Sequence, residues 1–183
     1  MRLFITVVIA CIFGIGLQAE LYIYTKKGIR LPLEKQKVTL YNGIPVKKIS
    51  SQDDRVTVQV TGFVSKKDKN KLFATRNLKL LLAVATNPGI LKTKGDTGVL
   101  EVTVPKKSLT DDMEEAWATG SDLFYDKCTK CHHTRIVEHH SMQDWNALFG
   151  SMKYKAKTTE AQNEAILRFL RAFAKDGILK ESE

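Results

Sequence analysis

The chain has 183 residues, room for one large or two small domains, and carries 29 Lys/Arg against 20 Asp/Glu for a net charge of +9. It holds no internal repeat and no low-complexity linker, which excludes solenoid architectures and tethered modules. The charge is unevenly spread: residues 20–110 hold 18 Lys/Arg against 7 Asp/Glu, whereas residues 111–183 hold 10 against 13.

Met1 and Arg2 give a positive start, Leu3 to Leu17 form an apolar run, and Gln18-Ala19 precede Glu20. This pattern predicts a signal peptide over residues 1–19, cleaved after Ala19, or an uncleaved inner-membrane anchor. Removing it takes away Cys11 and leaves Cys128 and Cys131.

Residues 20–108 are expected to form a β-rich module. Val56, Val58 and Val60 alternate with Thr57, Gln59 and Thr61, the period of a half-buried strand. Leu21 to Tyr24 and Val38 to Tyr41 predict two more strands. Asn42-Gly43 after the second predicts a tight hairpin turn into Ile44 to Ile49. Leu78 to Ala85 is a continuous apolar run that fits a strand or a helix, and Val99, Val102 and Val104 predict a last strand ended by Pro105. Short strands with Lys, Gly and Asp turns predict a small SH3-like β-barrel. This half has no Ser-His-Asp set, phosphate-cradling glycine loop or histidine, so it reads as a docking or scaffolding module.

Residues 109–183 show the helical period instead. Asp111 with Glu114 predicts a capped start, and Met113, Trp117, Gly120 and Phe124 mark one face. Ser141 with Asp144 predicts a second start, after which Trp145, Leu148, Phe149 and Met152 share a face. Thr159 with Gln162 opens a third helix, whose stripe is Ile166, Phe169, Leu170 and Phe173.

Between the first two helices stands Cys128-Thr129-Lys130-Cys131-His132. A C-x-x-C-H run sets two thiols one turn apart with an imidazole beside the second. That arrangement suits thioether bonds to the two vinyl groups of one haem c, with His132 as an axial ligand of its iron. A thioredoxin-like dithiol would require a βαβ setting and a structural zinc site a second cysteine pair; neither is present. Met152 is the candidate sixth ligand and His139 the alternative. His133 adjoins the proximal ligand, and Met142 is expected to face away from the Trp145 stripe.

Gly120 lies eight residues before Cys128 and Phe124 four before it, so the three share a helix face. This arrangement resembles the first helix of small class I cytochromes c, where the glycine admits a close helix crossing and the aromatic packs near the haem edge. The fuller set of Leu109-Thr110-Asp111-Asp112, Trp117-Ala118-Thr119-Gly120-Ser121, Cys128 to His132, His139, Trp145 and Met152 resembles the C-terminal monohaem region of the pentahaem cytochromes that serve trimethylamine N-oxide reductases. The resemblance implies electron delivery to a periplasmic molybdenum reductase. Only one C-x-x-C-H is present, so it also implies that a membrane quinol dehydrogenase or another cytochrome is the donor.

The expected architecture is therefore α+β, a small SH3-like β-barrel module followed by an all-α class I-like cytochrome c domain over residues 109–183. The expected function is single-electron transfer in a bacterial periplasm, with no enzymatic chemistry of its own and no nucleic-acid partner. A basic loop at Lys66-Lys67-Asp68-Lys69 is expected to steer an acidic partner. The rival expectations are a peroxidase-like haem with an open iron position and a haem-bearing sensor module.

Overall fold

The computed structural model describes residues 21–26 and 28–179, so the expected signal segment 1–19 lies outside the described residues. Among the described residues no helix is long and apolar enough to cross a membrane.

Ten strands come first: β1 (Leu21–Ile23), β2 (Arg30–Leu33), β3 (Val38–Tyr41), β4 (Pro45–Gln52), β5 (Arg55–Val64), β6 (Lys71–Phe73), β7 (Leu81–Ala85), β8 (Lys92–Lys94), β9 (Thr97–Pro105) and β10 (Leu109–Thr110). Three helices follow: α1 (Met113–Cys128), α2 (Met142–Met152) and α3 (Glu160–Ala172). Every strand pairing is antiparallel, and eight strands run in the order β10-β1-β4-β5-β6-β7-β3-β2.

The sheet is organised around β5. Along one edge it pairs with β9 from Arg55↔Pro105 to Phe63↔Thr97. Its other edge is divided: Arg55 to Gln59 pair with β4, and Phe63-Val64 pair with β6. One long strand shared by two partners lets the sheet turn a corner. Val56, Val58, Val60 and Val64 are buried, as the alternation requires, and meet Leu100, Val102 and Val104 in an aliphatic core.

The expectation of an SH3-like barrel followed by an all-α class I-like cytochrome c domain is overturned. The molecule is mostly antiparallel sheet, a curled half-barrel of eight strands with three C-terminal helices. Residues after 108 also rejoin the sheet, because Thr110 pairs with Tyr22 and Leu109 with Ile23.

The Asn42-Gly43 hairpin is corrected as well. β3 pairs with β2 and β7, whereas β4 pairs with β1 and β5, so the two strands flanking Asn42-Gly43 do not pair with each other. The reason is a residue far along the chain. Gly43 has φ +78°, and a Cβ there would lie 2.3 Å from the Trp117 ring of α1. The dipeptide turns a corner that receives a helix. Asn42 completes it, its Nδ2 donating to the Ala116 carbonyl at 3.0 Å.

Arg168 of α3 bridges from the opposite side. It is 5% exposed, donates from Nη1 to the Leu81 carbonyl at 2.6 Å and from Nη2 to the Asn42 carbonyl at 3.2 Å. Its guanidinium lies 4.5 Å from the Tyr41 ring centroid, within cation–π range. Burial pushes its pKa down to about 10, so it is still charged at neutral pH.

Candidate haem-attachment site

The site is built from the last turn of α1, the turn that follows it, and one face each of α2 and α3. Asp112, one residue later than expected, caps α1 by accepting from the N–H groups of Glu114 and Glu115. Ala116, Trp117, Gly120 and Phe124 form the buried face. A Cβ at Gly120 would lie 2.7 Å from both the Ala165 carbonyl and the Phe169 Cβ, so the glycine lets α3 cross α1 at backbone contact. The helix ends at Cys128, and Thr129 Oγ1 donates back to the Tyr125 carbonyl at 2.7 Å. Cys131 and His132 lie in the exposed turn beyond.

Ser141 and Thr159 cap α2 and α3 through reciprocal bonds with Asp144 and Gln162, as their spacing predicts. The Ser141 hydroxyl and backbone N–H hold the Asp144 carboxyl below the usual carboxylate range. Trp145 is fixed by its Nε1, which donates to the Val137 carbonyl at 2.8 Å, and by the edge of Phe124 at 5.8 Å between centroids.

These elements enclose a cavity of about 660 Å³. Phe124 and Cys128 come from α1, Cys131 and His132 from the turn. Trp145, Leu148, Phe149 and Met152 come from α2, and Leu170 from α3. The walls are apolar, and Lys127, Lys130, Arg135, Lys155 and Lys157 stand around them. Asp126 pairs with Lys127 at 3.1 Å and Lys130 at 3.3 Å. No ion pair among the described residues engages Arg135, Lys155 or Lys157.

The structure thus brings together Cys128, Cys131, His132 and Met152. His139 is not with them. It ends a short 3-10 turn (Val137–His139) and is exposed away from the cavity lining. The neighbouring His140 ring packs on Trp145 at 5.2 Å instead. Met142 does not face away: it is 1% exposed inside the aromatic cluster, its N–H donating to Asp176 Oδ1 at 2.6 Å. The cationic surround of Arg135, Lys155 and Lys157 escaped the sequence reading. Its only sequence trace is the Lys153, Lys155, Lys157 spacing just past α2.

The chemistry of this set can be tested against the group that C-x-x-C-H implies. Both thiols and the imidazole line one cavity within the common size range for small-molecule and cofactor pockets, ~300–1,000 Å³. An apolar slot with unpaired cations around it fits a flat apolar body bearing carboxylates. His132 Nδ1 lies 2.8 Å from the His133 carbonyl. A carbonyl can only accept, so Nδ1 carries the proton and Nε2 keeps the lone pair a metal needs.

A redox dithiol fits poorly by comparison. Cys128 sits at the negative C-terminal end of α1, and burial pushes its thiol pKa up, both opposed to a reactive thiolate. Among the described residues no three His, Cys, Asp or Glu side chains converge to hold a bare metal ion. No family model, curated protein or solved structure matches this chain.

Proposed function

We propose that the chain is a monohaem c-type cytochrome of the bacterial periplasm that carries single electrons to a terminal reductase. The observation that supports this reading best is the convergence of Cys128, Cys131 and His132 on one apolar, cation-surrounded cavity. In this reading Cys128 and Cys131 form the thioether bonds, and His132 Nε2 is the proximal ligand. Met152 is the sixth ligand, favoured over His139 because it alone of the two lines the cavity. Bound haem supplies a one-electron couple, whose potential Met/His ligation sets higher than bis-His ligation does.

The chain's own residues do the rest. The His133 carbonyl holds the His132 tautomer, and Phe124, Trp145, Leu148 and Phe149 keep water from the slot. Arg135, Lys155 and Lys157 offer charge to acidic groups, whether on the cofactor or on a partner. The resemblance to the monohaem region of pentahaem cytochromes suggests the acceptor: a periplasmic molybdenum reductase for trimethylamine N-oxide or related N-oxides and S-oxides. The donor is then a membrane quinol dehydrogenase or another cytochrome.

The test has two stages. Protein matured in a cytochrome c assembly host should keep its colour through acid-acetone extraction, and Cys128→Ala with Cys131→Ala should lose it. Reduced protein mixed anaerobically with candidate reductases should then be oxidised when N-oxide is added. A colourless wild type would refute haem attachment; stable reduced haem beside an active reductase would refute the acceptor. Met152 is 37% exposed, which favours one rival, a ligand-reactive iron. Rapid carbon monoxide or cyanide binding, with no sulfur-to-iron absorption band to lose in Met152→Ala, would select it.

A further inference from the structure

A second, much smaller cavity of about 10 Å³ lies beside the crossing of α1 and α3, among Asn42, Trp117, Thr119, Gly120, Ala165 and Arg168. Three of these residues carry buried side-chain atoms with no hydrogen-bond partner: Asn42 Oδ1, Trp117 Nε1 and Arg168 Nε. We propose that this cavity is a binding site for one permanent water molecule, which accepts from Arg168 Nε–H and Trp117 Nε1–H and donates to Asn42 Oδ1.

Size and chemistry select the occupant together. One water requires a cavity of roughly 10–15 Å³ and two to four polar partners. The orientation of the Asn42 amide is fixed, because its Nδ2 is already spent on the Ala116 carbonyl at 3.0 Å. One unpartnered acceptor and two unpartnered donors therefore belong to residues that line the same space. A halide would suit the two N–H groups and be repelled by Oδ1, whereas a cation would suit Oδ1 and be repelled by the guanidinium. A neutral molecule of water's size that both donates and accepts satisfies all three.

Arg168 has particular need of it. Its Nη1 and Nη2 are bound to the Leu81 and Asn42 carbonyls, and among the described residues no carboxylate forms an ion pair with it. Glu164, one turn earlier, pairs with Arg30 at 2.6 Å. Nε–H is the part of the buried cation left without compensation, and a buried unsatisfied donor is costly. With the water in place the sheet corner, α1 and α3 are joined through one fully satisfied polar centre. Phe169 and Leu170 follow directly, so the same centre sets how α3 approaches the larger cavity. The inference holds whether or not haem is attached.

The experiment uses the full chain and its wild-type side chains. In a high-resolution crystal structure, one density peak should lie about 3 Å from all three atoms. In solution, the Trp117 indole N–H should show a direct cross-relaxation peak to a long-lived water. The Trp145 indole N–H, bonded to the Val137 carbonyl at 2.8 Å, is the internal control and should show none. The proposal is overturned if the site holds no peak, or if the three side chains turn to bond one another. It is equally overturned if a bromide-soaked crystal gives an anomalous signal there.

Discussion

The two hydrophobic clusters of the molecule are made of different side chains. The sheet cluster is aliphatic, with Val56, Val58, Val60, Leu100, Val102 and Val104 in it and Tyr41 as its only buried ring among the described residues. The helical cluster is rich in aromatic rings: Trp117, Phe124, Trp145, Phe169 and Phe173 meet edge to face or tilted, and Phe149 is buried with them. Branched aliphatic side chains on alternating strand positions interdigitate to high density. Large rigid rings on three short helices leave space between them, and here that space is about 660 Å³. The first region holds shape; the second holds room for something else.

The aliphatic cluster can be damaged alone. Leu100→Ala, at a fully buried position, should cost about 2–5 kcal/mol. Both tryptophans lie in the helical cluster, so their fluorescence reports that region, while hydrogen exchange at the β5–β9 amides reports the sheet. Coincident denaturant transitions are expected, since Arg168 and Trp117 join the regions; separated transitions would show that they unfold apart.

Gly120→Ala attacks the other cluster. Its new Cβ meets backbone on α3, so a loss of about 1–3 kcal/mol is expected, together with a changed absorption spectrum of the matured protein. Gly150→Ala in α2 is the counterpart. Nothing lies within 4 Å of its Cβ position, so it should stabilise by about 0.5–1 kcal/mol; a destabilised midpoint would be against this account.

Acid should destabilise the molecule in part through the helical region. Asp144 has a native pKa below its unfolded value, because its carboxylate accepts from the Ser141 hydroxyl and N–H. The native state then binds fewer protons, so the contribution is present above the unfolded pKa of about 4 and fades as pH falls through the native value. A pH series of denaturant midpoints should show this slope, and Asp144→Asn should flatten it. The smallest effect belongs to the exposed Arg30–Glu164 bridge between β2 and α3. Arg30→Ala should cost under about 1 kcal/mol, and raising salt should erase the difference.

What could be read from the sequence was what is decided locally. The Val56-Val58-Val60 alternation and the Ser141 and Thr159 caps depend on residues within a turn or a strand of one another, and each stands where its pattern put it. The shared α2 face of Trp145, Leu148, Phe149 and Met152 was equally legible, and it became a cavity wall. Asn42-Gly43 misled because the ring that explains it belongs to Trp117, far along the chain. The barrel misled for the same reason: strand runs show no partners, so neither the division of β5 between two neighbours nor the return of Leu109-Thr110 had a local sign. Arg168 stands within the Ile166 to Phe173 segment and carries no local sign of its role. Its burial depends on carbonyls at residues 42 and 81.

The pairing of β1 with β10 bears on how the protein can be divided. Leu21 to Ile23 lie between β4 on one side and Leu109-Thr110 on the other, so the earliest described strand takes its outer neighbour from the segment leading into α1. A gene cut after residue 108 would encode a sheet with a bare edge, a template for association between chains. Tyr22 and Leu80, which belong to the aromatic cluster, would be uncovered by the same cut. A graft of the Cys128 to His132 turn and its helices onto another carrier would lose the floor on which Trp117 rests. Engineering this chain therefore means exchanging side chains within it, because neither the sheet nor the helices make a transplantable part.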